Sequence, residues 1–230
     1  MRDTTKNGVR IITLEREPMN TLDLDAIETL SALFEAHPSS TPLVIEGANG
    51  VFSAGVDAKA FMGYAPAQRL QLARAITRMT AHLLSIPSPV VASIGGHALG
   101  GGLVLALCCD YRVATDAAQA KFGLLEAKAG IAFPSGPAQI IRHELPPPLL
   151  RHLSLSSHTV ASRLLIDHTV FDESVEPVRV SEAAHMRALE LARLPGFTVV
   201  KTQMRGDLAM RVRRMAEEGR EPAFEEAGPP

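Results

Sequence analysis

Three short segments carry residues whose types and spacing could do chemistry, and the first is a run of three glycines. Gly100 to Gly102 follows the apolar run Val90 to Ile94 and precedes the apolar residues Leu103 to Cys109. A strand, a glycine turn and a helix in this order leave backbone N–H groups unpaired at a helix N-terminus, where negative charge is favoured. Tight packing of a strand against a helix would explain the run equally well. The spacing does not match the G-x-G-x-x-G pattern of dinucleotide folds.

The second segment is Phe52 to Lys59 (FSAGVDAK), which follows the β-like run Leu43 to Glu46. Small residues around Gly55 would expose further N–H groups in a loop at the end of a strand, although an ordinary loop has the same appearance. Together the two segments could direct two N–H donors at one oxygen, which is the geometry of an oxyanion hole. The sequence alone does not show that the two segments meet in space.

The third candidate is Glu126, which lies in the segment Ala120 to Glu126 (AKFGLLE). Glutamate is usually a solvated surface residue, and composition alone favours that interpretation. The neighbouring Leu124, Leu125 and Ile131 offer an alternative, an apolar pocket. Burial in such a pocket would raise the pKa of the carboxyl toward the range useful for moving a proton near neutral pH.

The elements that must position these segments alternate in type. Gly8 to Leu14 and Tyr111 to Ala114 are predicted strands, as are the runs Leu43 to Glu46 and Val90 to Ile94. Leu72, Ile76, Met79 and Leu83 recur at helical spacing, as do the apolar residues from Leu24 to Phe34. Strands mixed with helices in this way predict an α/β fold, a sheet covered by helices.

From about Ser181 only helical spacing is evident, so we predict a core over residues 1–180 and a helical region over 181–230. Ala184, Ala188 and Leu191 mark one helix, and an apolar stripe marks the next: Val200, Met204, Leu208, Val212 and Met215. That helix also has a basic face, which is either solvated or attracted to phosphates or to an acidic neighbouring subunit: Lys201, Arg205, Arg211, Arg213 and Arg214. The last residues, from Arg220, carry Pro, Gly and charge and are expected to fray.

The composition excludes several classes of protein. The chain has 230 residues, enough for one large domain without disulfides or metals, and 23 Lys and Arg against 25 Asp and Glu give no case for nucleic acid binding. The adjacent Cys108 and Cys109 indicate buried thiols, because they have neither a disulfide pattern nor metal-ligand spacing. No signal-like segment opens the chain, and its longest apolar stretch is shorter than the ~20 residues of a membrane span. We therefore expect a soluble, cytoplasmic protein.

The same segments resemble those of the crotonases, enzymes that stabilise thioester enolates. FSAGVDAK is similar to the family pattern F-[SA]-A-G-x-D-x-K, and the stretch from Pro89 through the three glycines is similar to P-V-[IV]-A-x-[IV]-x-G-x-A-x-G-G-G. AKFGLLE resembles the family's next segment, A-x-[FI]-x-x-x-E. The three occur in the family's order and spacing, and the resemblance runs from about Ile11 to at least Ile141. It implies a spiral of β-β-α units followed by a helical C-terminal appendage.

The resemblance also implies roles for residues by position. The N–H groups of Val56 and Gly101 would form the oxyanion hole for the thioester oxygen, and Glu126 would act as the acid/base. Coenzyme A would arrive as part of the substrate, and no metal, flavin or nicotinamide is implied. The residues implied in binding that substrate are Ala54, Val56, Asp57, Ala58, Lys59 and Gly101.

Two departures from the family pattern bear on the reaction. Hydratases of the family carry a second Glu two residues after the glycines, where this chain has Val104. The turn after Glu126 also differs, reading GIAFPSGP from Gly130 to Pro137. A single Glu favours isomerisation of an enoyl thioester. The alternatives are a 2-enoyl-CoA hydratase that uses another water-activating group and an acyl-CoA-binding protein without turnover.

The remaining polar residues have less specific interpretations. His97, between the glycines, either contacts a ligand or is a loop histidine without function, and Asp110 is expected to fix a helix end. Asp116 and Asp167 are read as solvated turn residues unless the fold brings them to the pocket.

The family resemblance further implies assembly as a homotrimer or hexamer through Ser181 to Glu218.

Overall fold

The computed structural model describes residues 1–225 of the chain. Its strands are β1 (Arg2–Lys6), β2 (Val9–Leu14), β3 (Leu43–Gly47), β4 (Val51–Ser53), β5 (Val90–Ile94), β6 (His97–Leu99), β7 (Tyr111–Thr115), β8 (Phe122–Gly123), β9 (Thr159–Val160) and β10 (Glu173–Val175). Its α-helices are α1 (Leu24–Glu35), α2 (Ala58–Gly63), α3 (Pro66–Leu84), α4 (Gly101–Leu107), α5 (Glu126–Ala129), α6 (Ser135–Glu144), α7 (Pro147–Leu150), α8 (Ser162–Asp167), α9 (Val180–Ala192), α10 (Phe197–Glu218) and α11 (Pro222–Glu225).

The strands form two sheets. The larger has the order β1-β2-β3-β5-β7-β10, in which only β1 runs antiparallel to its neighbour, and the smaller has the order β4-β6-β8-β9. Each of β3, β5 and β7 is followed directly by a strand of the smaller sheet and then by a helix. The chain therefore winds as a spiral of β-β-α units, as predicted.

The smaller sheet brings the three candidate segments together. Its strands β4, β6 and β8 are parallel, with Ser53 opposite Ala98 and Leu99 opposite Gly123. Parallel neighbours end at the same edge of a sheet. The residues that follow these strands are Gly55, Gly100 and Glu126 with their neighbours, so the three segments converge at one edge.

The predicted helical stripes lie in the core. Leu72, Met79 and Leu83 of α3 are buried, and Ile76 is 8% exposed. In α9, Val180, Ala184 and Ala188 pack against the larger sheet. Both cysteines are buried and free, as expected, and burial raises the pKa of both thiols.

The stripe predicted for α10 is only half correct. Leu208 and Val212 are buried and contact the core, whereas Val200 and Met204 are 54% and 67% exposed. Helical spacing predicts which residues share one face of a helix, but it does not show whether that face packs against the same chain.

The basic face of α10 was expected to be solvated or attracted to phosphates or an acidic neighbouring subunit, and this expectation is wrong for Lys201 and Arg205. Lys201 Nζ lies 2.6 Å from Asp110 Oδ2, and Arg205 bridges Asp110 Oδ1 at 2.9 Å and Glu144 Oε1 at 3.0 Å. All four side chains are largely buried. Asp110 also accepts the Val90 N–H, so it ties the start of β5 to α10 rather than only ending a helix.

The expectation of fraying is wrong for residues 220–225, while 226–230 lie outside the described residues. Glu221 is 2% exposed, and α11 follows it. Of the described helices, none has the length and apolar character needed to cross a membrane.

Candidate active site

The two glycine segments pack directly against each other. Gly55 has φ +79°, and a Cβ there would lie 2.6 Å from both Gly101 N and Leu99 O. A Cβ on Gly102 would lie 2.2 Å from Ser53 O. Contacts this short exclude any side chain, so these glycines are required for the N-terminus of α4 to reach the loop after β4.

Two backbone N–H groups at this junction are free to bind a ligand. Within residues 1–225, neither the Val56 N–H nor the Gly101 N–H donates a hydrogen bond. The backbone on either side is fixed, because Leu22 N donates to Gly55 O at 2.8 Å and Asp57 N donates to Leu22 O at 3.1 Å. Gly100 N in turn donates to Gly123 O at 2.8 Å. The two free donors are thus held by rigid neighbours.

Glu126, the first residue of α5, places its carboxylate beside this junction. A Cβ on Gly100 would lie 3.0 Å from Glu126 Oε1, so the glycine leaves the space that the carboxylate occupies. Glu126 Oε2 is buried and has no hydrogen-bond partner among the described residues. Burial raises the pKa of this carboxyl to about 7, although the backbone N–H groups of Leu125 and Glu126 oppose the shift.

A cavity of about 220 Å³ joins the free N–H groups to Glu126. Glu126 is the only ionisable side chain among its lining residues within the described part of the chain. Val104, where a second Glu would stand in a hydratase, is 2% exposed and forms part of the wall. The wall is otherwise apolar side chains and backbone: Ala54, Val56, Ala58, Phe61, Leu72, Ala73, Ile76, Gly100, Gly101, Val104, Leu125, Ala129, Ile131, Ala132, Phe133, Pro134, Pro137 and Phe224.

Most of the residues singled out from the sequence lie in this wall, but two do not. Ala54, Val56, Ala58 and Gly101 line the cavity. Asp57 is instead the N-cap of α2, with its Oδ1 accepting the Ala60 N–H at 2.9 Å. Lys59 is exposed and lies outside the lining.

The other polar candidates have structural surroundings away from the cavity. His97 Nδ1 accepts the Lys121 N–H at 3.1 Å, which fits the interpretation without function. The Asp116 N–H donates to Val175 O at 2.9 Å, and exposed Asp167 pairs with Arg163 at 2.9 Å. None of the three side chains lines the cavity. Of the described residues, no cluster of His, Cys, Asp or Glu could hold a metal ion.

Sequence reasoning missed the part of the wall that lies far along the chain. Phe133, Pro134 and Pro137 come from the turn that departs from the family pattern, and Phe224 comes from α11. The departure of this turn from the family pattern was a signal that the pocket differs in shape from that of the family's hydratases. Phe224 gave no signal, because an isolated Phe in a polar, Pro-containing segment has no periodicity.

With this geometry in place, comparison with known proteins identifies the family. The family model described as enoyl-CoA hydratase/isomerase matches residues 4–222. The chain belongs to this family. The expected crotonase resemblance and fold are therefore confirmed.

Individual relatives carry both names of the family. The human mitochondrial methylglutaconyl-CoA hydratase is 31% identical over 203 residues, which cover 86% of this chain and 57% of that protein. A probable enoyl-CoA hydratase from Mycobacterium tuberculosis has a structure that is 26% identical, with a TM-score of 0.83 over 94% of this chain and 92% of that one. The human mitochondrial delta3-delta2-enoyl-CoA isomerase is 22% identical, with a TM-score of 0.83 over 92% and 84% of the two chains, and shows the fold alone. The chain spans 57% to 61% of the length of the mammalian methylglutaconyl-CoA hydratases that it matches.

Proposed function

We propose that this protein is a single-base isomerase of enoyl-CoA thioesters, which moves a carbon–carbon double bond into conjugation with the thioester carbonyl. One observation carries the proposal: among residues 1–225, the cavity wall holds one carboxylate, Glu126, and an apolar Val104 in place of a second. Membership of the enoyl-CoA hydratase/isomerase family supports the substrate class. Coenzyme A is then part of the substrate, and the chemistry needs no other cofactor.

The proton moves between two carbons in two steps. The ionised Glu126 takes a proton from the carbon alpha to the carbonyl of a 3-enoyl thioester, and the electron pair moves onto the carbonyl oxygen. The N–H groups of Val56 and Gly101 hold that enolate oxygen. Glu126 then returns the proton to the gamma carbon, and the electrons collapse to form the 2-enoyl product.

The surroundings of Glu126 suit both steps. A carboxyl with a pKa of about 7 can accept and return a proton near neutral pH with little loss in either direction. The free N–H donors act where negative charge develops, and loss of one such donor typically costs about 3–4 kcal/mol of transition-state stabilisation.

Hydration is the second candidate, because the family and several of the similar proteins are named as hydratases. It requires a group that activates water opposite the proton donor. Among the described lining residues, Glu126 is the only side chain able to do so, and one carboxylate would have to serve both roles.

A protein that binds acyl-CoA without turnover is the third candidate. The retained Glu126 and both free donors argue against it.

A substrate panel with matched variants tests the proposal. We expect 3-enoyl-CoA to be converted to 2-enoyl-CoA, and a substrate deuterated at the alpha carbon should give product that carries deuterium at the gamma carbon. Glu126→Gln should lower kcat by about 10²–10⁴-fold, because it removes the acid/base, while acyl-CoA binding is nearly unchanged. Glu182→Gln, an exposed change on α9, is the control and should leave both unaffected.

Each alternative has its own result in this panel. Formation of 3-hydroxyacyl-CoA from 2-enoyl-CoA at a comparable rate would establish a hydratase. Saturable binding without any product would establish the non-catalytic protein. Unchanged turnover in Glu126→Gln would remove Glu126 from the mechanism.

We also propose that the protein self-associates through α10, as a trimer or a pair of trimers. The support is an exposed apolar surface on this helix, where Val199, Val200 and Met204 are 63%, 54% and 67% exposed. Isolated exposed apolar residues are ordinary, but a grouped surface of this kind marks interfaces. A measurement of the protein's mass in solution tests this proposal, and a monomer at micromolar concentration would contradict it.

A further inference from the structure

Phe224 joins the wall of the cavity from the far end of the chain. It follows the last long helix, and its companions in the wall come from α3 and from the start of α6. Leu72 and Ala73 of α3 are each 1% exposed, so this part of the wall is closed toward the core. Ala58, Ala129 and Ala132, by contrast, are exposed and lie at the mouth.

The segment that carries Phe224 is fastened by a buried carboxylate. Glu221 is 2% exposed, and its Oε1 accepts the Thr77 hydroxyl of α3. Its Oε2 accepts the Ser135 N–H at the start of α6 at 2.7 Å. Because Thr77 Oγ1 also accepts the Gly136 N–H, Glu221 joins α3 and α6, the two helices whose residues surround Phe224 in the wall.

Further contacts hold the segment at both ends. Gly219 ends α10 with φ +62°, and its carbonyl accepts the Arg74 Nε–H at 2.6 Å. The Glu221 N–H donates to Glu225 Oε1 at 3.0 Å, which closes the short turn around Phe224. Residues 219–225, hereafter the C-terminal strap, are thus bound to α3 by a set of polar contacts.

The chemistry of the wall decides which part of the substrate meets the strap. No lysine, arginine or histidine stands among the lining residues of the described chain, so the phosphates of coenzyme A would find no counter-charge there. Burial of a hydrocarbon chain against such a wall stabilises the complex by roughly 0.8 kcal/mol for each methylene, which is about fourfold in affinity. The closed apolar end is therefore the place for the acyl chain.

We propose that the C-terminal strap closes the acyl end of the cavity and that Phe224 sets the length of acyl chain that fits. Glu221 acts as a positioning residue, because it holds the strap and does not line the cavity. This inference rests on the proposed function for its substrate class.

Graded acyl-CoA thioesters of four to about twelve carbons provide the test, by binding and by turnover. Phe224→Ala should move the preferred chain length up by about two carbons or more, with affinity for longer chains rising about fourfold for each methylene that enters the new space. Phe224→Leu, a smaller change, should move it less in the same direction. Phe197→Ala truncates a phenylalanine outside the cavity and should leave the profile unchanged.

Glu221→Ala tests the positioning role with a readout that a general loss of stability would not reproduce. Release of the strap should extend the profile toward longer chains, whereas simple destabilisation would lower the affinity for all chains alike. Glu218→Ala, an exposed glutamate on α10, is its control.

The binding arm separates this inference from the proposed function. Absence of turnover with every thioester would contradict the isomerase and leave the binding profiles to decide the role of Phe224. If Phe224→Ala and the unmodified protein have the same binding profile over acyl-chain length, the inference is overturned, whatever the turnover assay gives.

Discussion

Glu126 is a carboxylate held at an energetic cost. Its Oε2 is buried and has no hydrogen-bond partner in the described part of the chain, and its raised pKa means that the protein favours the neutral form more strongly than water does. Buried polar atoms are nearly always paired in folded proteins, and exceptions cluster where a ligand or a proton is expected. The N–H groups of Val56 and Gly101, which donate to no other described residue, add two more unpaired groups to the same cavity.

This cost predicts a pH-dependent stability that Glu126→Gln removes. The folded protein keeps the Glu126 proton up to about pH 7, whereas the carboxyl titrates near 4.5 when unfolded. Stability therefore falls as pH rises from about 4.5 to 7, by at most about 3–4 kcal/mol if the whole shift is counted. We expect the free energy of unfolding of Glu126→Gln, relative to the unmodified protein, to increase between pH 5 and pH 8 in urea titrations.

Activity should respond to the same group in the opposite sense. The base must be ionised, so kcat/KM should rise with pH through about 7. Glu182→Gln, which changes an exposed carboxylate, should show neither effect. A stability difference for Glu126→Gln that stays flat from pH 5 to pH 8 would mean that the carboxyl titrates normally.

Individual residues also show where sequence reasoning reached its limit. The apolar neighbourhood of Glu126 was predicted from Leu124, Leu125 and Ile131. Leu125 and Ile131 line the cavity, whereas Leu124 is buried in the core. Lys201 and Arg205 were misread, because their partners Asp110 and Glu144 lie 61 to 95 residues away along the chain. Charge and helical phase along one segment contain no information about such partners.

At the scale of elements, the site depends on strands too short to recognise. β4, β6 and β8 have two or three residues each, which cannot establish an alternating pattern. Of the six strands of the larger sheet, β2, β3, β5 and β7 were predicted, whereas β1 and the three-residue β10 were not. The convergence of the three segments follows from the register of the short strands. The family resemblance could therefore suggest that they meet, whereas the pattern of residue types could not.

Two glycines allow the close approach of these elements to be tested. Gly55 and Gly8 have nearly the same φ, +79° and +80°, but a Cβ on Gly8 would meet no atom of the described residues within 4 Å. Gly8→Ala should therefore cost only the backbone strain, about 1–2 kcal/mol. Gly55→Ala adds a 2.6 Å contact with Gly101 N and should cost clearly more.

The two variants should also differ in function. Gly55→Ala displaces the segment that carries the Gly101 N–H, so acyl-CoA turnover should fall well beyond the loss expected from reduced stability, while Gly8→Ala should keep normal turnover. Unfolding free energies and kcat/KM, measured for both, check this expectation. Equal losses in both measurements would show that the approach of the two loops is not essential.

At the scale of the whole molecule, α10 connects the site to the rest of the fold. Its middle is anchored by Arg205, which donates to the carbonyl groups of Cys108 and Leu107 as well as to Asp110 and Glu144. Its end continues into the C-terminal strap that carries Phe224. The anchor holds α10 to α6 and to the turn after α4, and the strap depends on where α10 lies.

The last prediction compares two arginines on this helix. Arg205 has a side chain 16% exposed and bridges two buried carboxylates, whereas Arg213 pairs with Glu217 in an exposed pair, with side chains 68% and 64% exposed. Arg205→Met removes the donor to Asp110 Oδ1 and to Glu144 Oε1, although Asp110 keeps Lys201 and Glu144 keeps Arg112 as partners. It should therefore lower the free energy of unfolding by about 2–4 kcal/mol. Arg213→Met should change it by less than about 0.5 kcal/mol, because exposed pairs contribute little. Urea unfolding at pH 7 measures both, and similar small losses would mean that the buried cluster does not anchor α10.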